Sequence, residues 1–318
     1  MNRGAKTVVG AIALVASLAL VACGGGGDGG GTGGAGTGGG NNDTTSGADF
    51  QAPSSVDAAS FDEAGAVSQN DGFIDVSSVN DGVVLAHATS ASRLKLLVTH
   101  GDMSYNYDLP GDGTPITAPV NMGDGEYTFA IMRNVGGNDY VETASTTANV
   151  TLTSETAPFT RPNMFCNYTD SSACVAKARE LTASAQNVGD AVKAVCTYIV
   201  DNVDYDKDKA SKVTKVTGYV PNPDETFSTN KGICFDYASL GAAMLRSVGI
   251  PTKIVTGYVS PNDLYHAWIM VYIDGSWTSA QFSVNPQSWS RVDLTFAADS
   301  SNDSLVGDGI SYTDRYVY

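Results

Sequence analysis

The spacing of hydrophobic positions changes at about Pro158, and this change divides the chain into two folded parts. Before it, from about Phe73 to Leu152, short apolar runs alternate with turn residues, which is typical of strands joined by hairpins and loops. Six such runs at this spacing predict a small all-β sandwich over residues 65–157. The runs are FIDVSS, GVVLAHA, RLKLLVTH, SYNYDL, EYTFAIMRN and YVETASTTANVTL.

After Pro158 the hydrophobic period becomes that of a helix, which predicts a second domain over residues 158–318. A first helix is predicted over Ser172–Ser184. A second, amphipathic helix is predicted to end near Asn202, because its apolar residues recur three and four positions apart. The fold class predicted for the chain is α+β.

The first 22 residues have the pattern of a signal peptide. Arg3 and Lys6 precede an apolar run, Val8 to Ala22, that is too short to span a bilayer as a mature helix. The run ends in Leu-Val-Ala-Cys, which resembles the lipobox of bacterial lipoproteins, whose cysteine is acylated and becomes the new N-terminus. Cys23 is therefore the predicted lipidation site. The alternative is an ordinary signal peptide in which this cysteine occurs by chance.

Residues 23–64 are predicted to form a flexible tether. Thirteen of the 17 residues in 24–40 are Gly, and no periodic apolar pattern follows before about Ser60. A flexible chain of about 40 residues would hold a folded domain about 30 to 40 Å from its anchor. We therefore expect an extracytoplasmic protein that a lipid on Cys23 anchors to the membrane at a bacterial cell surface.

The composition excludes two other classes of protein. Hydrophobic residues make up 42% of the chain, which is enough for a core and excludes a wholly disordered protein. The chain has 18 Lys and Arg against 34 Asp and Glu, and its net charge is −16. An acidic surface repels phosphates, so we expect no nucleic acid among the partners.

The residues around Cys234 indicate a cysteine at the start of a helix. In KGICFDYASLGAAMLRSVGIPTK, apolar residues at helical spacing follow Cys234 until Gly249 and Pro251 end the helix. The N-terminus of a helix favours the thiolate, which is the nucleophilic form of cysteine. The alternative is a structural cysteine that is buried in the first helical turn.

His266 lies on a run that predicts a strand, LYHAWIMVYIDGSW, and it is the only histidine after Pro158. A single strand histidine is commonly structural. However, a cysteine at a helix start followed by a strand histidine is the chain order of Cys-His thiol catalysts, in which imidazole removes the thiol proton. The earlier His87 and His100 have no metal ligands at suitable spacing and are predicted to be half-buried strand residues.

Three segments resemble, in order, the motifs of the transglutaminase-like superfamily, a group of papain-related Cys-His-Asp thiol enzymes. The segments are GICFDYASLGAAMLRSVGIPTK, YHAW and VDLTF, and the resemblance covers roughly residues 198–298. It implies a domain in which the helix that carries the cysteine packs on an antiparallel sheet. It also implies that Cys234 is the nucleophile and His266 the base. The N–H of Cys234 would be the first oxyanion donor.

The third catalytic residue has two candidates. The simplest family pattern places an Asp about fifteen residues after the histidine, where this chain has Gln281. The family frame of Trp, three residues, Asp, one residue and Thr is found instead at Asp293. We favour Asp293, which requires an inserted β excursion over about 273–288. If a tight turn at 274–275 instead carries the chain straight back along the strand of His266, Asp293 lies one strand too far out. Gln281 would then be the orienting residue.

The remaining cysteines are assigned structural roles. Cys166 and Cys174 could form a disulfide outside the cytoplasm, while Cys196 is expected to be a reduced core residue. The resemblance implies no metal and no organic cofactor.

These observations predict a surface-anchored thiol enzyme that acts on peptide or amide bonds by hydrolysis or acyl transfer. Its substrate would be a protein or a cell-wall peptide. The alternative is a non-catalytic binding or scaffold protein, in which the β-sandwich recognises a surface ligand and the thiol site is vestigial. The presence of all three residues, Cys234, His266 and Asp293, argues against that alternative.

Overall fold

The computed structural model describes most of the chain after residue 46, and the described residues form two compact units. The N-terminal unit comprises Ser54–Ser171 together with Tyr318, and the C-terminal unit comprises the described residues of Leu18–Pro53 and Ser172–Val317. Cys23 and the predicted signal peptide lie outside the described residues. Those residues are 47–213, 218–259, 264–273, 275–278 and 312–318.

The N-terminal unit is built from antiparallel strands. The strands are β1 (Val67–Gln69), β2 (Gly72–Asp75), β3 (Val83–Ala88), β4 (Leu94–His100), β5 (Met103–Leu109), β6 (Ile116–Pro119), β7 (Gly125–Gly136) and β8 (Asp139–Val150). They form two four-stranded sheets, with the orders β1-β2-β3-β6 and β5-β4-β7-β8. The sheets share a core, because a Cβ placed on Gly72 of the first sheet would lie 3.0 Å from the Ile131 side chain of the second.

The six predicted strands are all present. In β4, Leu94, Leu96 and Val98 are buried while Lys95 between them is partly exposed, which is the alternation expected of a strand with one face on a core. Sequence analysis missed β1 and β6. Both are short, and β6 ends at Pro119, which cannot donate to a neighbouring strand.

The segments that precede and follow these strands along the chain also belong to the two units. Residues 158–171, which follow the predicted boundary, belong to the N-terminal unit, where the N–H of Met164 donates to Thr117 in β6 at 2.8 Å. Residues 47–53, which lie within the predicted tether of residues 23–64, belong to the C-terminal unit, where the N–H of Phe50 donates to the carbonyl of Gln186 at 3.1 Å. The described part of that tether, residues 47–64, is therefore divided between the two units and has a defined backbone path.

Both histidines of the N-terminal unit have structural partners. The imidazole of His87 stacks on Phe73 with ring centroids 4.6 Å apart, and its Nε2 lies 3.4 Å from the carboxylate of Glu63. His100 stacks on Tyr127, again with centroids 4.6 Å apart. Both residues are partly buried, so the prediction of half-buried strand histidines is confirmed.

The C-terminal unit consists of helices followed by an antiparallel sheet, and the α+β prediction is confirmed. None of the described helices has the length and apolar character of a membrane span. The helices are α1 (Ala173–Thr182), α2 (Val188–Asn202), α3 (Lys207–Val213), α4 (Pro223–Thr229) and α5 (Cys234–Ser247). The strands are β9 (Asp204–Tyr205), β10 (Lys231–Gly232), β11 (Thr252–Val259), β12 (Leu264–Ile273), β13 (Ser276–Thr278) and β14 (Tyr312–Val317).

The two helices predicted before Asn202 are α1 and α2. The start of α2 is fixed by a capping box, in which the side chain of Asn187 accepts the N–H of Asp190 at 2.9 Å and the carboxylate of Asp190 accepts the N–H of Asn187. The end of α2 at Asn202 is where the sequence pattern places it.

Helix α5 is the centre of the unit, and all of its residues are buried. It packs against α1, α2 and α4 and against strands β11 and β12. Gly241, Ala242 and Ala243 are among its buried small residues. The buried Arg246 near its C-terminus donates from Nε to the carbonyl of Thr252 at 2.8 Å, which ties the helix to the start of β11.

The antiparallel sheet has the order β13-β12-β11-β14. In the pairing of β12 with β11, His266 lies opposite Gly257. After β12 the chain turns back at once, because Ile273 pairs with Ser276 of β13. Strand β14 lies along the other edge of β11, so β11 and β12 form the middle of the sheet on which α5 packs.

Candidate active site

Cys234 is the first residue of α5, and its exposed fraction is 3%. Ile233 before it has an extended backbone, with φ −98° and ψ 175°. The N–H groups of the first helical turn have no carbonyl partner within the helix and lie at the positive end of its dipole. The N–H of Cys234 is one of these groups and is a suitable donor to an oxyanion. The predicted helix start at this cysteine is confirmed.

Asp236 fixes this helix start from the third position. Its side chain is fully buried, and Oδ2 accepts the N–H of Ile233 at 2.8 Å. Gly232 permits this approach, because a Cβ at that position would lie 2.7 Å from the Cβ of Asp236. The glycine before the cysteine is thus explained by the space that the capping carboxylate needs.

Two further residues bind the Asp236 carboxylate. Nζ of Lys209 in α3 lies 2.8 Å from Oδ2, and the hydroxyl of Tyr219 donates to Oδ1. Burial, followed by the charge of Asp236, raises the pKa of Tyr219, so its phenol remains protonated and remains a donor at neutral pH. Sequence analysis missed Lys209 and Tyr219, because they precede the cysteine motif on separate segments and no spacing relates them to it.

The position of Lys209 is itself fixed by α3. Asp206, which precedes this helix, accepts the N–H of Lys209 at 2.8 Å and so caps the first turn. Asp206 therefore serves the start of α3. Among the residues that the structure describes, no three His, Cys, Asp or Glu side chains come together as a metal site requires.

His266 lies on β12 and is 5% exposed. The glycine opposite it, Gly257, lets β14 and an indole approach, because a Cβ there would lie 2.0 Å from the carbonyl oxygen of Thr313 and 2.9 Å from the ring of Trp268. Trp268, two residues after His266, is in the core, where it packs against Val255. The histidine is therefore held on a strand whose neighbours are closely packed.

The elements that carry Cys234 and His266 pack against each other, since α5 contacts β12. A catalytic pair would bring the Cys234 sulfur within about 4 Å of a ring nitrogen of His266, and this distance is a prediction.

The two candidates for the third residue, Asp293 and Gln281, lie outside the described residues. The described part does show how β12 ends, because Ile273 pairs with Ser276 of β13. If the hairpin continues in this register, the chain returns directly beside β12, which is the arrangement that sets Asp293 one strand too far from His266. Both candidates therefore remain predictions, and the pairing of Ile273 with Ser276 is the one on which the Gln281 alternative depends.

The other described cysteines, Cys166, Cys174 and Cys196, are buried. Burial raises the pKa of Cys196 to about 12, so this thiol in α2 stays protonated at neutral pH, as expected of a core residue. Cys166 belongs to the N-terminal unit and Cys174 to the C-terminal unit. A disulfide between them stays a prediction.

Residues 175–293 match the model of the transglutaminase-like superfamily. This segment, which includes Cys234 and His266, is therefore a transglutaminase-like domain, and the resemblance of the sequence motifs is confirmed for this part of the chain.

Two curated relatives and one solved structure are similar to parts of the chain. A UPF0252 protein of Methanocaldococcus jannaschii is 25% identical over 187 residues, which cover 56% of this chain and 52% of the relative. An uncharacterized protein of Mycobacterium leprae is 33% identical over 94 residues, which cover 26% of this chain and 29% of the relative. The matched region thus spans about half, or less, of these relatives. The structure of a proposed cysteine protease from Cytophaga hutchinsonii matches with a TM-score of 0.39 and 19% identity, covering 74% of this chain and 75% of that chain.

Proposed function

We propose that the transglutaminase-like domain is a thiol enzyme that acts on peptide or amide bonds, with Cys234 as nucleophile and His266 as base. The observation that carries this proposal is the position of Cys234 at the buried start of α5, on a helix that packs against the strand of His266. The superfamily match supports it, because that resemblance implies Cys-His-Asp thiol chemistry. We keep Asp293 as the third member of the triad, with Gln281 as the alternative.

The proposed reaction uses groups of this domain, the substrate, and either water or a second amine as the acyl acceptor. His266 takes the proton of the Cys234 thiol, and the sulfur attacks the carbonyl carbon of the substrate. The N–H of Cys234 donates to the oxyanion that forms. When the carbon–nitrogen bond breaks, the imidazolium protonates the leaving amine and a thioester remains. Attack by water gives hydrolysis, and attack by a second amine gives acyl transfer.

We further propose that the substrate is a protein or a cell-wall peptide. This rests on the sequence, in which a lipidated Cys23 followed by a Gly-rich tether would hold the enzyme outside the cytoplasm, at the bacterial cell surface. Peptide and amide bonds of surface proteins and of the cell wall would then lie within its reach.

Alkylation by iodoacetamide at pH 7, followed by peptide mapping with mass spectrometry, tests the proposed thiol chemistry. Cys234 is expected to react faster than an ordinary exposed thiol, although it is 3% exposed. Cys196 is expected to stay unmodified, because burial raises its pKa to about 12. His266→Ala should remove the fast reaction, since it removes the proton acceptor. The matched control is His100→Ala, which removes a strand histidine of the N-terminal unit and should leave the rate unchanged.

The competing function is a non-catalytic binding or scaffold protein that uses its β-sandwich. That function would be favoured if Cys234 reacted no faster than an exposed thiol, or if His266→Ala left its rate unchanged.

A further inference from the structure

A buried carboxylate lies two residues after the proposed nucleophile. Asp236 is fully buried, and Cys234 at the head of the same helix is 3% exposed. Both side chains therefore lie where water screens charges weakly. A negative charge on Asp236 with no cation beside it would make the thiolate of Cys234 harder to form.

Lys209 supplies a balancing charge. Its Nζ lies 2.8 Å from Oδ2 of Asp236, and its side chain is 22% exposed while that of Asp236 is 0% exposed. The N–H of Ile233 and the hydroxyl of Tyr219 donate to the same carboxylate. A carboxylate is tolerated in a core when it is paired and hydrogen-bonded, and this set of donors meets both conditions.

Among the described residues that bind the carboxylate, the other titratable one is Tyr219. Burial raises the pKa of Tyr219, and the charges of Asp236, Glu225 and Cys234 raise it further. The phenol is therefore neutral at physiological pH and contributes a hydrogen bond without a charge. Among the described residues that bind Asp236, the cation is Lys209.

We propose that Lys209 is a positioning residue of the thiol site, which neutralises Asp236 and so lets Cys234 ionise near neutral pH. The lysine acts through Asp236 and does not touch the substrate. The inference rests on the proposed function, because it matters only if the Cys234 thiolate is the reactive species.

The test is the pH dependence of Cys234 alkylation in the full chain, with iodoacetamide as the probe. Lys209→Met should shift the pH of half-maximal rate upward by about one unit, the order expected for one unbalanced charge several ångströms away. Lys209→Arg keeps the charge and should keep the wild-type profile. The matched control is Lys212→Met, which removes an exposed cation from the same helix and should also leave the profile unchanged.

A double variant separates charge balance from structural support. In Lys209→Met combined with Asp236→Asn, both charges are gone, so the half-maximal pH should return towards that of the wild type. If Lys209 has a purely structural role, the double variant loses two side chains that support the start of α5. Its half-maximal pH should then differ from that of the wild type by more than the half-maximal pH of Lys209→Met does. Melting temperatures measured alongside show whether each variant is folded at the temperature of the alkylation assay.

Two results overturn the inference. One is a Lys209→Met profile that coincides with the wild type. The other is a profile shift that the double variant enlarges. If Lys209→Met does not fold, a Lys209→Arg profile that departs from the wild type by one unit overturns it as well. Slow, pH-insensitive alkylation of Cys234 in the wild type would instead contradict the proposed function, because Cys234 would then not be a reactive nucleophile.

Discussion

His266 needs a partner that accepts the hydrogen of its second ring nitrogen, and Asp293 and Gln281 compete for this role. If Asp293 is the partner, Asp293→Ala should slow Cys234 alkylation at pH 7 by about tenfold or more, because the imidazolium loses both its orientation and its counter-charge. Asp293→Asn should have a milder effect, since an amide oxygen still accepts the hydrogen bond. Gln281→Ala is the matched control and should have little effect.

The opposite ranking would be equally informative. If Gln281→Ala slows alkylation more than Asp293→Ala does, the side-chain amide of Gln281 is the group that orients His266. The hairpin in which Ile273 pairs with Ser276 would then continue in the same register.

The residues that sequence analysis could find are those whose chemistry is tied to a local pattern. Cys234 stands at the first position of a helical pattern, and His266 stands in a strand pattern, so each could be assigned to an element without a structure. Lys209 and Tyr219 could not be found in this way, because they reach Asp236 only through tertiary packing.

Among the elements, β11 depends on one glycine. Gly257→Ala should lower the free energy of unfolding by about 2 kcal/mol or more, because the added Cβ would lie 2.0 Å from a backbone oxygen of β14, and backbone cannot move aside as a side chain can. Urea unfolding measures this loss. Gly275→Ala is the comparison, since nothing lies within 4 Å of its added Cβ and only its φ of +80° opposes alanine; it should cost about 1 kcal/mol. Equal losses in the two variants would contradict the steric explanation.

The start of α1 depends on a carboxylate from α4. Oδ1 of Asp224 accepts the N–H of Cys174 at 3.0 Å. Burial raises the pKa of Asp224, but the hydrogen bonds from Cys174 and Ser172 outweigh burial and lower it below the ordinary value. Because the folded pKa is below the unfolded one, the stabilisation is present above about pH 4 and is lost as the pH falls through the folded pKa.

Asp224→Asn should therefore lower the melting temperature by about 3 °C at pH 7, which corresponds to about 1 kcal/mol for a helix cap. The difference from the wild type should shrink at pH 3, where the wild-type carboxylate is becoming protonated as well. Asp201→Asn removes an exposed carboxylate from the last turn of α2 and should not lower the melting temperature at either pH. A melting difference for Asp224→Asn that is the same at pH 3 and pH 7 would rule out the charge of the cap as its cause.

Elements with a long and regular period were predictable, and short ones were not. The period-2 runs gave six strands of the N-terminal unit, and the period-3.6 pattern gave α1, α2 and α5. The strands β9 and β10 are two residues each, and they exist because the chain before α3 runs beside the chain before α5. Such pairing depends on where the larger elements place the chain, and two residues carry no period from which to infer it.

At the scale of the whole chain, the change of period separates an all-β unit from a unit of helices and sheet, because the two kinds of element need different spacings to bury one face. The exact boundary was less predictable. Residues 158–171 lack strong periodicity, and they group with the N-terminal unit through contacts such as Arg161 with Asp57 at 2.6 Å. A change of pattern therefore marks where the next type of element begins, and tertiary contacts decide which unit keeps the connecting segment.

The predicted anchor is a property of the whole chain, because it determines where both units work. Expression in a bacterium should give a membrane-associated protein, since acyl chains on Cys23 together supply far more buried hydrocarbon than one marginal anchor does. Cys23→Ala should release the protein or leave the precursor uncleaved, as fractionation and intact-mass measurement would show. Gly24→Ala is the matched control, because it keeps the thiol and a small neighbouring residue, and it should stay with the membrane. A wild-type protein found entirely in the soluble fraction, with an unmodified Cys23 thiol, would exclude the lipid anchor and would leave the tether without a point of attachment at the cell surface.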